Sequence, residues 1–461
     1  MQLKKNKIYN YLTFFLILHL IIWTLVPTIS NHNLPLDTIE AIAWGNNLDW
    51  GYSKHPPLSA WAVEIFFNIF GNQDWAYYLL SQIFITSTFL IIFKFSEDFF
   101  KNKIYSFLSI LLLVGIYFYN FTTPEFNVYI CVLPFLALTV FFCWRGINNN
   151  DYLNWILFGL FSGLGVLSHY LFFYLLAALV FFFIYLIIIK KFNIRCLISL
   201  YSFILVLIPH LVWLVDNNYT TITYAFQRTG IENLNSFLNH LIHPSIFFVK
   251  QIGILIPFFI MCLVIISNFK NKINLKDKKL LFLISITIIP LVLVFITSLV
   301  LGMKIRTMWM TPFYLFLGVL FVYVFKKKIV LRNWKYFFTV FLIFFILSPT
   351  TYLYISITQT DKRTDYPGRK VANMVQKKWD ENFINKIALV AGDEWYGGNL
   401  SYHLKSRPKW DNISDDSKKI SIKNIKGGFV IIGEFKVLSD ICTGIFFKSE
   451  NEGVCMIGKK K

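Results

Sequence analysis

Long apolar segments recur along the first 356 residues, and this pattern leaves few possible folds. A helix needs roughly 20 apolar residues to cross a membrane. Here 56% of the 461 residues are hydrophobic, more than the roughly 45–50% of ordinary globular proteins. The sequence therefore predicts an all-α polytopic membrane protein with about 11 transmembrane helices. Their predicted positions are about 9–29, 75–94, 104–122, 127–144, 152–168, 171–189, 197–215, 246–267, 280–301, 308–325 and 335–356.

The basic residues are distributed unevenly between these segments. A net charge of +19 could suggest a nucleic acid partner, but most lysines and arginines of residues 1–356 lie in alternate gaps, as the positive-inside rule describes for cytoplasmic loops. The asymmetry predicts a cytoplasmic N-terminus, an external C-terminal region and anionic membrane lipids as the partners of the basic gaps. The residues concerned are Lys4, Lys5, Lys7, Lys94, Lys101, Lys103, Arg145, Lys190, Lys191, Arg195, Lys270, Lys272, Lys276, Lys278, Lys279, Lys326, Lys327, Lys328, Arg332 and Lys335.

From about residue 357 the composition becomes that of a soluble protein. The segments "YPGRKVANMVQKKWDEN" and "NLSYHLKS" are typical of helices, and "KIALVAGD" and "GGFVIIGEF" of buried strands. Such alternation predicts a small α/β domain at 357–461 after a transmembrane domain at 1–356. Cys442 and Cys455 lie in this domain, where a disulfide would persist. Their spacing alone leaves open whether they are bridged.

The segment after the first apolar helix carries many ionisable groups. Within "LDTIEAIAWGNNLDWGYSKHPPLSAW", residues 36–61, Asp37 with Glu40 three positions later has the pattern of a capping box. This predicts a short amphipathic helix, and "PPLSAWAVEIFFNIFG" predicts a second one. We expect both helices to lie on the external membrane surface rather than to cross it.

Ionisable side chains near a bilayer are costly to withdraw from water, so they are candidates for function. Several of them map to the external ends of the predicted helices, which suggests one partly dry cavity. Cations there would bind a lipid phosphate, and a carboxylate would act as a base or orient the acceptor. The candidate catalytic residues are Asp37 and Glu40, and the candidate substrate-binding residues are Lys54, His55, Glu125, Asn127, His169, Tyr170, Arg228, Lys304 and Arg306.

Each of these residues also has a structural explanation when taken singly. Asp37 could only cap its helix, Lys54 and His55 could anchor the chain at the headgroups, and the arginines could be ordinary loop cations. His240 and His243 have a spacing that puts two imidazoles on one helix face, but no third metal ligand is evident. The indication of chemistry therefore comes from the group of residues and not from one member.

The first loop resembles that of bacterial polyprenyl-phosphate-sugar glycosyltransferases, which are related to dolichyl-phosphate-mannose protein mannosyltransferases and to lipid A aminoarabinose transferases. The segments "TPEFNVYICVLPFLALTVFFCW", "GLFSGLGVLSHY" and "PHLVWLVDNNYTTITYAFQRTG" resemble later parts of the same family. The resemblance implies the C-type membrane glycosyltransferase fold. It also implies that Asp37 is the catalytic aspartate, that His55 lies near the carrier phosphate and, more loosely, that Arg228 contacts that phosphate.

The chain departs from the family pattern at two places. Thr38 stands where many relatives have a glutamate, with Glu40 two places later, and His169–Tyr170 stand where relatives have Lys-Tyr. These departures affect the choice of donor or acceptor and leave the class of enzyme unchanged.

The resemblance implies inverting transfer of a sugar from polyprenyl (undecaprenyl) phosphate to an envelope acceptor outside a bacterial inner membrane. Lipid A or lipopolysaccharide is the favoured acceptor, and a secreted protein or a polysaccharide is the alternative. A transporter of lipid-linked sugars is a hypothesis from another class, but transporters place polar groups at the membrane midplane, which these segments do not. No cofactor is indicated with certainty, and a divalent cation remains open.

Overall fold

The computed structural model describes residues 5–149, 151–229, 237–270, 273–412, 427–450 and 452–461. Its α-helices are α1 (Lys5–Ser30), α2 (Leu36–Gly45), α3 (Leu58–Phe70), α4 (Asp74–Glu97), α5 (Lys103–Leu111), α6 (Val128–Asn149), α7 (Tyr152–Ser168), α8 (Phe172–Ile188), α9 (Ile198–Asp216), α10 (Thr220–Thr229), α11 (Asn239–Ile265), α12 (Lys278–Leu301), α13 (Leu317–Phe325), α14 (Trp334–Thr358), α15 (Gly368–Asn382), α16 (Tyr396–His403) and α17 (Phe435–Ile441). Its strands are β1 (Ile387–Ala391), β2 (Lys409–Asp411), β3 (Gly428–Glu434), β4 (Ile445–Ser449) and β5 (Glu452–Ile457).

Each predicted apolar segment is helical, but the segments differ in length. Among the described residues, seven helices are long and apolar enough to cross a membrane. An eighth candidate is the pair formed by the 3₁₀ segment Thr307–Tyr314 and α13, which is bent by 51°. Three further predicted segments form shorter apolar helices at Lys103–Gly115, Tyr152–Ser168 and Phe172–Ile188. The polytopic membrane class is confirmed, whereas the count of eleven is not.

Glycines allow two of these helices to approach closely. A Cβ atom added to Gly159 of α7 would lie 2.0 Å from the carbonyl oxygen of Ser199 on the chain entering α9. One added to Gly163 would lie 2.8 Å from Val206. Small residues four positions apart thus bring α7 against α9, as such pairs commonly do between membrane helices.

The loops that carry the basic residues listed above meet at one end of the helices. Lys278 at the start of α12 donates to the Oδ1 atom of Asn148 at the end of α6, and Lys279 donates to the carbonyl of Asp98 at the end of α4. The backbone amide of Val330 donates to the carbonyl of Ile265, which closes α11 against the chain leading to α14. We call this end of the helices the basic end, and the opposite end, which carries α2, the site end.

The C-terminal region folds around a mixed five-stranded sheet in the order β2-β1-β3-β5-β4. β1 is parallel to β2 and β3, whereas β5 is antiparallel to β3 and β4. The amphipathic helix α15 packs Val371, Val375 and Trp379 into the core of this domain. Cys442 and Cys455 form a disulfide with Cα atoms 5.7 Å apart. The two helices and two strands predicted here are confirmed.

Helix α2 differs from the amphipathic surface helix that the sequence predicts, both in its surroundings and in its cap. Seven of its ten residues are buried, because α3 and α16 pack against it, so most of its side chains contact protein. Its N-cap is Pro35 and no side chain caps it; Asp37 therefore lies inside the first turn, and the capping-box prediction is wrong. α3 does keep an exposed apolar face, with Ile65 and Ile69 each at least 60% exposed.

The C-terminal domain docks on the site end through buried polar contacts. The guanidinium of Arg407 donates to Glu64 Oε2 on α3 (3.0 Å) and to the carbonyl oxygen of Ile42 on α2 (2.8 Å). The side chain of Asn33 donates to that of Asn399 (2.8 Å). At Gly398 of α16 a Cβ atom would lie 3.0 Å from Ile39 of α2. The domain therefore covers α2 directly and holds it in place.

Candidate active site

The first turn of α2 places Asp37 against the chain that leads into α6. The backbone amide of Asp37 donates to Glu125 Oε1 (3.2 Å), and the side chain of Asn127 hydrogen-bonds to the Asp37 carboxylate. The hydroxyl of neighbouring Thr38 donates to the carbonyl of Phe126 (3.0 Å). These contacts hold the two carboxyl groups, which are distant in sequence, side by side.

Asp37 and Glu125 titrate as a pair. Burial raises the pKa of both carboxyl groups above their usual values, and the negative charge of Asp37 adds to the rise at Glu125. For Asp37 alone, Lys54 and two arginines oppose this rise and favour the ionised form. We therefore expect Glu125 to retain its proton more readily than Asp37, so that Asp37 is the carboxylate available for chemistry.

Lys54 joins three parts of the chain at the wall of the site. Its Nζ atom lies 2.9 Å from Glu40 Oε1 on α2 and 3.2 Å from Glu394 Oε1 between β1 and α16. Burial raises the pKa of Glu40 to about 7; Lys54 opposes the rise, and the charges of Asp37 and Glu394 add to it. Burial lowers the pKa of Lys54, but the two carboxylates outweigh this and raise it. The charge of this wall therefore changes near neutral pH.

Two arginines complete the charge around Asp37. Arg228, near the end of α10, and Arg306, directly before the 3₁₀ segment Thr307–Tyr314, both lower the pKa of the Asp37 carboxyl through their positive charge. Their segments meet where the backbone amide of Lys304 donates to the carbonyl of Thr229 (3.4 Å). The Lys304 side chain itself is exposed. The structure thus brings both arginines to the carboxylates, whereas it places Lys304 at the edge.

Aromatic rings surround the two site histidines. The ring centroid of His55 lies 6.0 Å from that of Trp44 and 5.6 Å from that of His169, and His169 lies 5.0 Å from Tyr129. Burial, and then the charge of Lys54, lower the pKa of His55 to about 3. Burial and His55 likewise lower the pKa of His169. Both imidazoles are therefore neutral at neutral pH, and His55 can contact a phosphate as a hydrogen-bond partner but not as a cation.

Tyr170 is directed away from the carboxylates. Its hydroxyl hydrogen-bonds to His210 Nε2 on α9 (2.7 Å), and the other ring nitrogen of His210 lies 2.7 Å from the carbonyl oxygen of Trp50. This chain of bonds ties α9 to the first loop. Tyr170 therefore supports the loop that carries Lys54 and His55.

Metal ligands are not grouped at the site. Within the ranges that the structure describes, no three His, Cys, Asp or Glu side chains are arranged to hold a metal ion. The Nδ1 atoms of His240 and His243 instead contact the carbonyl oxygens of Leu299 (2.9 Å) and Gly302 (2.7 Å). Both histidines thus join α11 to the end of α12.

Sequence reasoning missed one charged member of the site, Glu394. Its carboxylate is 12% exposed and reaches Lys54 because α16 docks on α2. Its position directly after a parallel strand was a weak signal, since the carboxyl ends of such strands often carry functional groups. Nothing in the sequence indicated which surface this end of the sheet would face. Tyr129 and Tyr224, which contact the site histidines, were also missed.

A large cavity lies away from these residues. It measures about 1050 Å³ and runs between α1, α5 and α14 from the middle of the helices towards the basic end, with Arg332 and Lys335 at that end. Its walls are apolar side chains such as Phe14 and Phe338, and it contains no carboxylate. An apolar lining of this kind suits an acyl chain but offers no acid or base. We therefore assign chemistry to the charged site and not to this cavity.

The sequence of the central region matches a known family. Residues 54–213 match the profile described as dolichyl-phosphate-mannose-protein mannosyltransferase. Over these residues the chain is similar to that family. The matched region contains Lys54, His55, Glu125 and His169, whereas Asp37 and Glu40 precede it and are assigned from geometry. No curated protein sequence matches the chain.

Solved structures show the same fold over nearly the whole chain. The chain is similar to ArnT from Cupriavidus metallidurans bound to undecaprenyl phosphate, with 11% identity, a TM-score of 0.65 and coverage of 97% of this chain and 98% of that chain. Apo ArnT from the same organism gives 10% identity and a TM-score of 0.63 with the same coverage. The segment that matches the mannosyltransferase profile therefore lies within an ArnT-like membrane fold with a C-terminal domain.

Glu394→Gln is expected to shift the pH dependence of this site. In the native chain we expect the activity of this site to rise with pH through about 7, as Glu40 ionises and holds Lys54. Glu394 raises the pKa of Glu40, so its neutralisation should move this rise to lower pH. The measurement is initial rate against pH with purified protein in nanodiscs.

Glu450→Gln is the matched control for this variant. Glu450 belongs to the same domain and pairs with Lys370 at 3.0 Å, but both side chains are exposed and lie outside the site. Its pH profile should equal that of the native protein. A Glu394→Gln profile that superimposes on the native one would show that Glu394 has no electrostatic influence on the reaction.

Proposed function

We propose that this protein is a membrane glycosyltransferase that moves a sugar from a polyprenyl phosphate carrier to an acceptor at the site end of its helices. The single observation that carries the proposal is the convergence of Asp37 and Glu125 with Lys54, Arg228 and Arg306 at one end of an apolar helical bundle. The family match and the fold shared with an undecaprenyl phosphate-bound ArnT support it. The site end then faces the periplasm of a bacterial inner membrane, with the N-terminus in the cytoplasm.

The cations fit the negative charge that develops on the carrier. As the bond between the anomeric carbon and the phosphate oxygen breaks, its electron pair moves to the phosphate. Arg228 and Arg306 are placed to stabilise that charge, since guanidinium groups bind phosphate oxygens with paired donors. Lys54 is already held by Glu40 and Glu394, so we assign it a smaller share. His55, being neutral, adds a hydrogen bond.

Asp37 has a role that depends on the acceptor. An acceptor hydroxyl attacks the anomeric carbon from the face opposite the phosphate, and its proton passes to the Asp37 carboxylate as the new bond forms. An acceptor phosphate is already an anion, and in that case Asp37 orients the acceptor. Attack from the opposite face inverts the configuration, as the family resemblance implies. Glu125 keeps Asp37 in position and, when protonated, can donate a hydrogen bond to the hydroxyl or the phosphate of the acceptor.

Lipid A or a related envelope glycolipid is the acceptor that we favour. The site lies at the end of the bundle beside exposed apolar surfaces, including Ile65 and Ile69 of α3. An acceptor embedded in the same membrane can approach along that surface. A secreted protein or a polysaccharide would need to approach from the aqueous side, where the C-terminal domain covers α2.

The deciding experiment compares lipid A mass spectra from cells with and without the protein. We expect the spectra of expressing cells to contain an added mass of one hexose, hexosamine or aminopentose, which names donor and acceptor together. Cells that express the Asp37→Asn variant at equal level provide the control. Spectra that are identical in all three strains would contradict the lipid A assignment, and release of undecaprenyl phosphate by the purified protein would then test the donor separately.

A further inference from the structure

Lys250 is an unusual residue on a lipid-facing part of α11. Its neighbours Phe248, Val249 and Ile252 are 56%, 66% and 46% exposed, so this stretch of the helix contacts lipid rather than protein. Lys250 is exposed too, and among the described residues no carboxylate oxygen lies within 4.0 Å of its Nζ atom. A cation among apolar residues in a membrane helix is costly, and such residues usually have a functional reason.

Lys250 lines a cleft. This cleft has a volume of about 370 Å³ and is lined by Tyr117, Lys250, Gly253, Ile254, Pro257 and Thr307. The space beside Gly253 is open, since a Cβ atom added there would meet no atom within 4 Å. The cleft therefore brings one cationic residue and two hydroxyl-bearing residues together with apolar residues.

The cleft adjoins the candidate active site. Thr307, which forms one wall, directly follows Arg306, whose positive charge acts on Asp37. α11 begins at the site end, where His243 contacts Gly302. Side chains on a helix tilt towards its N-terminus, and lysine extends its charge towards the membrane surface. The Lys250 ammonium is thus directed towards the end of the bundle at which Arg306 lies.

We infer that this cleft is a binding site for the phosphate monoester of a membrane lipid, which docks on Lys250 before it reaches Arg306. Lys250 supplies the charge, Tyr117 and Thr307 supply hydroxyl donors, and Gly253 and Pro257 leave room for the first part of the lipid chain. The part that this cleft would play in the reaction rests on the proposed function. The phosphate chemistry is shared by the carrier lipid and by lipid A, so the test includes both.

Binding of undecaprenyl phosphate to the full chain in phosphatidylcholine nanodiscs tests the site without turnover. Losing one charge-assisted contact should raise the Kd of Lys250→Gln about tenfold, whereas Lys250→Arg should stay within about threefold. Lys327→Gln changes an exposed lysine just after α13 at the basic end; it is the matched control and should bind like the native protein. Equal binding by native protein and Lys250→Gln, or an equal loss in Lys327→Gln, would overturn the inference.

Three lipids distinguish the source of the phosphate. A loss in Lys250→Gln with undecaprenyl phosphate alone assigns the cleft to the donor, and a loss with lipid A alone assigns it to the acceptor. An equal loss with phosphatidylglycerol, a diester, would overturn the assignment to monoesters. In turnover assays Lys250→Gln should raise KM about tenfold and leave kcat within about twofold, because the contact precedes the reaction. Intact lipid binding without any sugar transfer by the native protein would contradict the proposed function and leave this site standing.

Discussion

Asp37→Asn is expected to reduce kcat for sugar transfer by about 10²–10⁴-fold, because the substitution removes the base while keeping nearly the same shape. Asn127 and the chain around Glu125 hold the side chain in place, so the asparagine should occupy the same position. If the acceptor is a hydroxyl, KM for the donor should change little, since the carrier phosphate binds through the arginines. The measurement is single-turnover transfer from a polyprenyl phosphate sugar.

Asp216→Asn is the control for this prediction. Asp216 ends α9, and its side chain is exposed. This variant should transfer sugar at the native rate. An Asp37→Asn protein that folds normally and retains more than about a tenth of native kcat would refute the assignment of Asp37 as base, and a phosphate acceptor oriented by Asp37 would become the better explanation.

Arg407→Ala is expected to loosen the C-terminal domain from the membrane helices. Arg407 and its partner Glu64 are only 13% and 10% exposed. The substitution leaves the Glu64 carboxylate and the Ile42 carbonyl oxygen without the hydrogen-bond donor that they share. Breaking one side of a buried ion pair typically costs about 3–5 kcal/mol. We expect a lower thermal transition and faster protease cleavage between α14 and α15 in detergent-solubilised protein.

The exposed pair of Lys370 and Glu450 provides the comparison. These side chains are 71% and 37% exposed at a similar distance of 3.0 Å, so Lys370→Ala should cost no more than about 1 kcal/mol. Arg407→Ala should also reduce transfer, because Glu394 reaches Lys54 only when the domain is docked. Equal stability and protease resistance of the two variants would show that Arg407 does not hold the domain.

The sequence predicted the features of the fold that arise from local pattern. Apolar segments identified the membrane helices, and alternating patterns identified β1, β3, α15 and α16 in the C-terminal domain. Helix length was less accessible at 104–122, because α5 ends at Leu111 and gives way to 3₁₀ segments at Leu112–Gly115 and Tyr117–Tyr119 while the apolar character continues. The burial of α2 could not be read from its residues, since what covers it is a domain encoded more than 300 positions later.

The site shows the same division. Its carboxylates and cations were recognisable as costly charges beside a membrane, and the structure brings Asp37, Glu40, Lys54, Glu125 and two arginines together. The protonation of His55 was not accessible, because it depends on how fully Trp44, Tyr224 and His169 enclose the ring. Glu394 was not accessible either, because its contact with Lys54 requires the docking of a separate domain.

The contact between Asn33 and Asn399, which are 366 positions apart, has a consequence for biosynthesis. Domains generally fold in the order in which the ribosome produces them, so the membrane helices will be inserted well before the last quarter of the chain has been synthesised. Until then, α2 lacks its covering and Lys54 lacks Glu394. A nascent or prematurely terminated chain would therefore have an incomplete site, and activity would begin only when the final segment has been made and has folded against α2.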